Sequence, residues 1–181
     1  MALGATIFKA VIGIADLDHN YYQDHALTLA RHPSETDERL MVRLLTFALN
    51  AAIAEGEPLE FGRGLSAEDE ADLSSKDLTG AIRLWIEVGL PDEKAVRKAC
   101  NRADRVRVYS YGGQAASQWR KQVAGARDRK ANLELFSLDG QATRELAALA
   151  QRNMRLQVTI QDGRALVTDG VHAVEVSPET L

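Results

Sequence analysis

The stretch Ile82-Arg83-Leu84-Trp85-Ile86-Glu87-Val88-Gly89-Leu90-Pro91 decides how the chain is read. Its apolar residues, with Trp85 and two isoleucines, have the composition that strands favour. Gly89 and Pro91 stop the strand, and Pro91 suits the opening of a following helix. Glu87 stands inside it. A carboxylate in an apolar strand is costly to bury unless a cation or hydrogen bonds compensate it. The chain is therefore read for what faces Glu87.

The segments on either side alternate between strand and helix. Asp77-Leu78-Thr79-Gly80 turns into the Glu87 strand, and Asp92–Asn101 carries a helix with Ala95, Val96 and Ala99 inward and Lys94, Arg97 and Lys98 elsewhere. Arg105–Tyr111 alternates as the next strand and ends at Gly112-Gly113. A helix over Gln114–Val123, a strand over Leu133–Leu138 and a helix over Gln141–Gln151 follow. The C-terminal end reads as a meander of Arg155–Ile160, Ala165–Thr168 and His172–Val176. Its turns are Asp162-Gly163 and Asp169-Gly170, and Asp-Gly between alternating segments is the strongest short hairpin signal.

Toward the N-terminus, Ala5–Ala15 and Tyr21–Ala30 read as a hairpin around the turn cluster Asp16–Asn20. Ser34 is the expected N-cap of a first helix over Glu35–Ala54, with Leu40, Leu44, Leu45, Ala48 and Ala52 on one face and Glu38 in the first turns. Leu59–Leu65 reads as a short strand whose glycines mark a bend or close approach. Ser66–Lys76 is acidic and reads as a loop or short irregular helix. This order predicts a single mixed α/β domain over 1–181, built on one central sheet with flanking helices.

Composition narrows the classes. The chain is 181 residues and 45% hydrophobic, enough for one domain with a real core. Its net charge of −4 lacks the basic excess of tight non-specific nucleic-acid binders. The middle is nonetheless locally basic, with Arg102, Arg105, Arg107, Arg120, Lys121, Arg127, Arg129 and Lys130, a face that could hold phosphates or form a solvated rim. The lone Cys100 can form no internal disulfide and reads as an apolar filler in a reducing compartment. No signal peptide or bilayer-length run is evident, so a cytoplasmic protein without a membrane partner is expected, as monomer or small homo-oligomer. The spacings of His19, His25 and His32 match no zinc signature. Trp85 and Trp119 read as packing residues.

The chemistry-bearing candidates are acids and lysines. Asp77 precedes Glu87 by an even spacing that would share a face if the segment ran extended. If Gly80 instead turned between antiparallel strands, the two could still meet across the pair. Glu38 on the first helix is a third acid. Lys94 and Lys98 lie four apart on the second helix. An oxygen-rich cluster of this kind suits Mg²⁺ or Mn²⁺, and a nearby lysine suits an oxyanion. For each residue there is a plainer role: an ion-paired acid, a turn residue, a helix-end acid and a solvated lysine face.

Several blocks resemble the YaeQ family of small bacterial proteins: Met1–Ala10 with Ala15-Asp16-Leu17-Asp18, Leu27–Thr36, Glu38-Arg39, Leu84–Glu93 and Thr159–Gly163. The resemblance implies a fold related to the PD-(D/E)xK nucleases, a restriction-endonuclease-like core of helix, three strands, helix and strand. Glu35–Tyr111 would give that core if a short strand lies near Asp77, with the N-terminal hairpin and C-terminal meander appended. It implies metal ligands at Asp77 and Glu87, an assisting acid at Glu38, and a lysine two residues after Glu87. Gly89 stands at that position, so Lys94 or Lys98 would have to supply the cation. Two expectations follow. One is a Mg²⁺-dependent phosphodiesterase acting on or binding nucleic acid; the other is a non-catalytic nuclease-fold protein that binds a partner, in a family associated with transcript elongation.

Overall fold

In the computed structural model, which describes residues 4–54, 56–63 and 69–181, the elements run β1 (Thr6–Asp16), β2 (Tyr21–Arg31), α1 (Asp37–Asn50), β3 (Leu59–Phe61), β4 (Leu73–Lys76) and β5 (Ile82–Val88). They continue as α2 (Glu93–Arg102), β6 (Ala103–Ser110), α3 (Gln114–Arg129), β7 (Leu133–Ser137), α4 (Gly140–Ala147), β8 (Asn153–Gln161), β9 (Arg164–Thr168), β10 (Ala173–Val176) and β11 (Glu179–Thr180). The mixed α/β reading holds, but there are two mixed sheets in place of one. A five-stranded sheet has the order β10-β9-β8-β1-β2, and a six-stranded sheet the order β11-β7-β6-β5-β4-β3.

The second sheet arises because the hairpin and the meander find each other. β8 pairs parallel with β1 along eight residues, from Lys9–Asn153 to Asp16–Ile160. The alternating apolar residues of β1 and β8 then share one face with Leu40, Met41, Leu44 and Leu45 of α1. That buried helix lies between the sheets, since Leu84, Ile86 and Val88 of β5 join the same cluster. On the other face of the six-stranded sheet, Trp85, Val106 and Val108 pack with Val96 of α2 and with Trp119 and Val123 of α3. Both tryptophans are thus packing residues, as read from sequence.

Several boundaries differ for local reasons. Thr36 caps α1, accepting from the Arg39 N–H at 3.1 Å, while Ser34 is engaged with the His32 ring at 2.6 Å. The helix ends at Asn50, whose carbonyl accepts from Ile53 and Ala54 in the turn that follows. α3 runs past Val123 to Arg129 because Ala126 is still buried against the core, outweighing the helix cost of Gly125, ~1 kcal/mol. Within Ser66–Lys76, Leu73–Lys76 is a strand rather than a loop; residues 64–68, which held parts of two sequence readings, lie outside the described residues. The close approach foreseen for the glycines is real at Gly62, where a Cβ would sit 2.1 Å from the Ala71 carbonyl oxygen.

Candidate functional site

β4 and β5 form an antiparallel hairpin folded at Thr79-Gly80. Leu73 faces Ile86, Ser74 faces Trp85 and Ser75 faces Leu84. The next pair outward along this register is Asp72 and Glu87. The acid opposite Glu87 is therefore Asp72. Asp77 lies in the turn, where its carboxylate accepts from the Thr79 hydroxyl and from the N–H groups of Thr79 and Ala81, and pairs with Arg83. These donors hold its carboxyl below the usual carboxylate range. Most of β5 separates the two, which at roughly 3.3 Å per residue keeps the carboxylates on the order of 15 Å apart. The expected convergence of Asp77 with Glu87 is replaced by that of Asp72 with Glu87.

Asp72 is almost fully buried and fixed at both oxygens. Oδ1 accepts from Arg39 at 2.6 Å, and Oδ2 from the Val88 N–H at 2.8 Å. Its backbone carbonyl also accepts from the Gly62 N–H, so the close packing of Gly62 against Ala71 positions the acid. Glu87 accepts from the Trp85 indole N–H at 2.6 Å. Burial, then the negative charge of Asp72 and a hydrogen bond to it, push the Glu87 carboxyl up to about 8; the indole bond and Arg39 oppose this only in part. At neutral pH Glu87 is thus mostly the protonated partner of Asp72, and it ionises close to physiological pH.

The cation beside the acids comes from α1. Arg39 bridges Asp72 and Glu35, accepted by the latter at 3.0 Å. Burial alone would lower the Arg39 guanidinium, but Asp72 and Glu35 outweigh it and raise it. Glu35 also takes two bonds from the fully buried Arg43, at 3.0 and 3.1 Å, and Arg43 donates to the carbonyls of Ala30 and Gly62. One chain of ion pairs therefore ties β2, the N-terminal turns of α1, the loop after β3 and Asp72 together. Such a network orients side chains more than it stabilises the fold.

Glu38, on the first turn of α1, lies at the edge of this cluster and accepts from the Thr143 hydroxyl of α4 at 2.6 Å. Tyr111, just after β6, is the neighbour that feels it. Burial pushes the Tyr111 phenol up to about 12, Arg39 pulls it down, and Glu38, Asp72 and Glu35 add to the rise. Tyr111 is thus a proton-bearing donor at any physiological pH. The lysines do not join the acids: Lys98 is paired with Asp69, and Lys94 is exposed with no ion pair among the described residues. Gly89 adopts φ +104, a left-handed conformation that explains a glycine there.

The sequence reading missed Asp72, Arg39, Glu35 and Tyr111. Asp72 was legible in principle, since a hairpin folded at Thr79-Gly80 places it opposite Glu87. Among the described residues no group of three or more His, Cys, Asp or Glu side chains is arranged to hold a metal ion. The protein side of any cation site at this place is thus a pair of carboxylates. That donor set fits a hard divalent cation, because the proton that Glu87 holds beside Asp72 can be exchanged for an ion.

Comparison with known proteins places the chain. It is 47% identical to the Salmonella typhi protein named "Uncharacterized protein YaeQ" over 176 residues, covering 97% of this chain and 95% of the relative. The crystal structure of the YaeQ protein from Xanthomonas axonopodis pv. citri superposes with a TM-score of 0.91 at 52% identity, over 97% of each chain. That of the YaeQ protein from Pseudomonas syringae gives 0.89 at 34% identity, over 98% of this chain and 96% of the other. The family model described as "YaeQ protein" matches residues 1–178, and the chain belongs to that family.

Proposed function

We propose that the Asp72–Glu87 pair is the centre of a metal-dependent phosphodiesterase of nuclease type. The observation that carries this is the opposition of two carboxyls, the buried Asp72 just before β4 and the half-buried Glu87 on β5, one fixed by Arg39 and the Val88 amide, the other carrying a proton up to about pH 8. The order α1-β3-β4-β5-α2-β6 supports a relation to the PD-(D/E)xK core, with Asp72 in place of Asp77 as the first acid.

A bound divalent cation would supply Lewis acidity toward a phosphoryl oxygen and a more acidic water. The chain's own residues do the rest. Asp72, held at both oxygens, is a rigid acceptor that does not swing away. Glu87 exchanges a proton near neutral pH, the range in which a general base or acid is most effective. Arg39 brings positive charge to the acids, the part played by the lysine that Gly89 replaces. Tyr111 offers a phenolic hydrogen bond beside them, and Glu38 borders the same region.

A second reading is a nuclease-fold protein that binds nucleic acid or a transcription component without cleaving it. Gly89, together with the absence of a lysine at the acids among the described residues, favours it. The two separate in one experiment: purified protein with Mg²⁺ or Mn²⁺ is incubated with single- and double-stranded DNA and RNA, beside Glu87→Gln and Asp72→Asn. Metal-dependent cleavage lost in both variants supports the phosphodiesterase. Absent cleavage, together with no calorimetric heat for either cation, overturns it.

A further inference from the structure

We propose that the free edge of β2 is a self-association surface, on which a second copy of this chain pairs antiparallel, β2 against β2. The four edges of the two sheets are not alike. β10, β11 and β3 are four, two and three residues long, short enough to offer almost no template for pairing. β2 is eleven residues long, ends its sheet, and pairs with β1 in an unbroken register from Asp16–Tyr21 to Thr6–Arg31. It contains no proline, no bulge and no lysine, three of the devices that blunt an exposed edge, and only two charged residues, Asp24 and Arg31. Its outward-facing backbone groups are those of Tyr22, Asp24, Ala26, Thr28 and Ala30; Arg43 takes the Ala30 carbonyl, and among the described residues the rest of the row stands available for another strand.

The strand's own sequence selects a copy of itself as the occupant. Pairing over the full strand places the two-fold axis at Ala26, which then faces Ala26 of the second copy. Only Asp24 and Arg31 carry a fixed charge on β2. In this register Asp24 faces Thr28 and Arg31 faces Tyr21, so no like charges meet. Bulk is complementary too. Tyr22, 59% exposed on the open face of the sheet, falls opposite the small Ala30. On the inner face the half-buried His25 falls opposite the half-buried Leu27, which would complete the cover of both. A slip of two residues in either direction loses paired length at one end. An interface made mainly by one strand is small beside the roughly 1,600 Å² of stable complexes, so a reversible, concentration-dependent dimer is expected.

The test is sedimentation velocity of the full chain over a concentration series, with Ala26→Lys and Ala26→Asp. Ala26 is exposed in the single copy, so both variants should keep the wild-type circular dichroism and melting temperature. The wild type should dimerise. Each variant places like charges across the axis and should weaken the dimer about fivefold. An equimolar mixture of the two variants should recover or exceed wild-type association, because lysine then faces aspartate. A wild type that stays monomeric at its highest soluble concentration overturns the proposal. So does a dimer whose stability ignores both variants and their mixture, since it must then use another face.

Discussion

The backbone N–H of Val88 donates to Asp72 Oδ2 at 2.8 Å, and this bond locks an acid from the loop before β4 against the end of β5. Because Val88 follows Glu87, the same contact brings the second carboxyl alongside the first. The acid pair is therefore built by the hairpin itself, while α1 contributes only the arginine that holds the outer oxygen.

The raised Glu87 carboxyl carries a stability signature with a definite sign. The folded state holds this proton up to about pH 8, while an unfolded glutamate loses it near 4.5. Stability from this group is thus fully present below 4.5 and falls as pH rises toward 8, by up to roughly 1.4 kcal/mol per pH unit. Glu87→Gln, which mimics the protonated form, should leave the melting temperature unchanged near pH 4.5 and raise it above pH 8. Chemical denaturation at the two pH values checks this. Trp85 gives an independent readout, since its indole donates to Glu87: its fluorescence should titrate with a midpoint near 8 and lose that transition in the variant.

Divalent binding should follow Asp72 and not Asp77. Asp72→Asn should abolish Mn²⁺ binding in a calorimetric titration, and Asp77→Asn should leave it intact. Wild-type affinity should increase between pH 6 and 9 as the cation replaces the Glu87 proton, with proton release visible as a buffer-dependent heat. Equal loss in both variants would contradict the hairpin geometry.

Arg39 should matter to the site and to the fold. Arg39→Ala leaves Glu35 and Asp72 without their bridging cation and should cost about 3–5 kcal/mol, the penalty of breaking a buried ion pair. Arg39→Lys keeps the charge but cannot serve both acids with a planar fork. It should recover part of the stability, measured by urea denaturation, and less of any metal-dependent activity.

Installing lysine at Gly89 should not restore a nuclease signature. The backbone there has φ +104, which strains any residue with a Cβ by roughly 1–2 kcal/mol. Space is not the obstacle, since no atom lies within 4 Å of a Cβ at this position. Gly89→Ala and Gly89→Lys should therefore lose similar stability in thermal melts. A lysine variant clearly more stable than the alanine variant would show that its amine finds the acids.

Much of the secondary structure was legible because it rests on local rules. The Asp-Gly turns of the meander, the apolar face of α1, and Gly89 and Pro91 after β5 all declare themselves over a few residues. The pairing of β1 with β8 was not legible. It joins residues more than a hundred positions apart, and the alternation that announces each strand says nothing of its neighbour.

The sequence by itself determined that Glu87 is a costly acid inside an apolar strand, since Ile86 and Val88 beside it cannot compensate a charge and the Trp85 indole two residues back is a neutral donor that answers it only in part. Only the tertiary structure decided what compensates it. A carboxylate's partner is chosen by strand register and by the reach of a helix packed across the sheet, so Asp72 and Arg39 took the places that spacing alone had given to Asp77 and the lysines of α2. Register is cooperative along the whole hairpin, and one bulge between Ser75 and Lys76 is enough to shift the pairing beyond it.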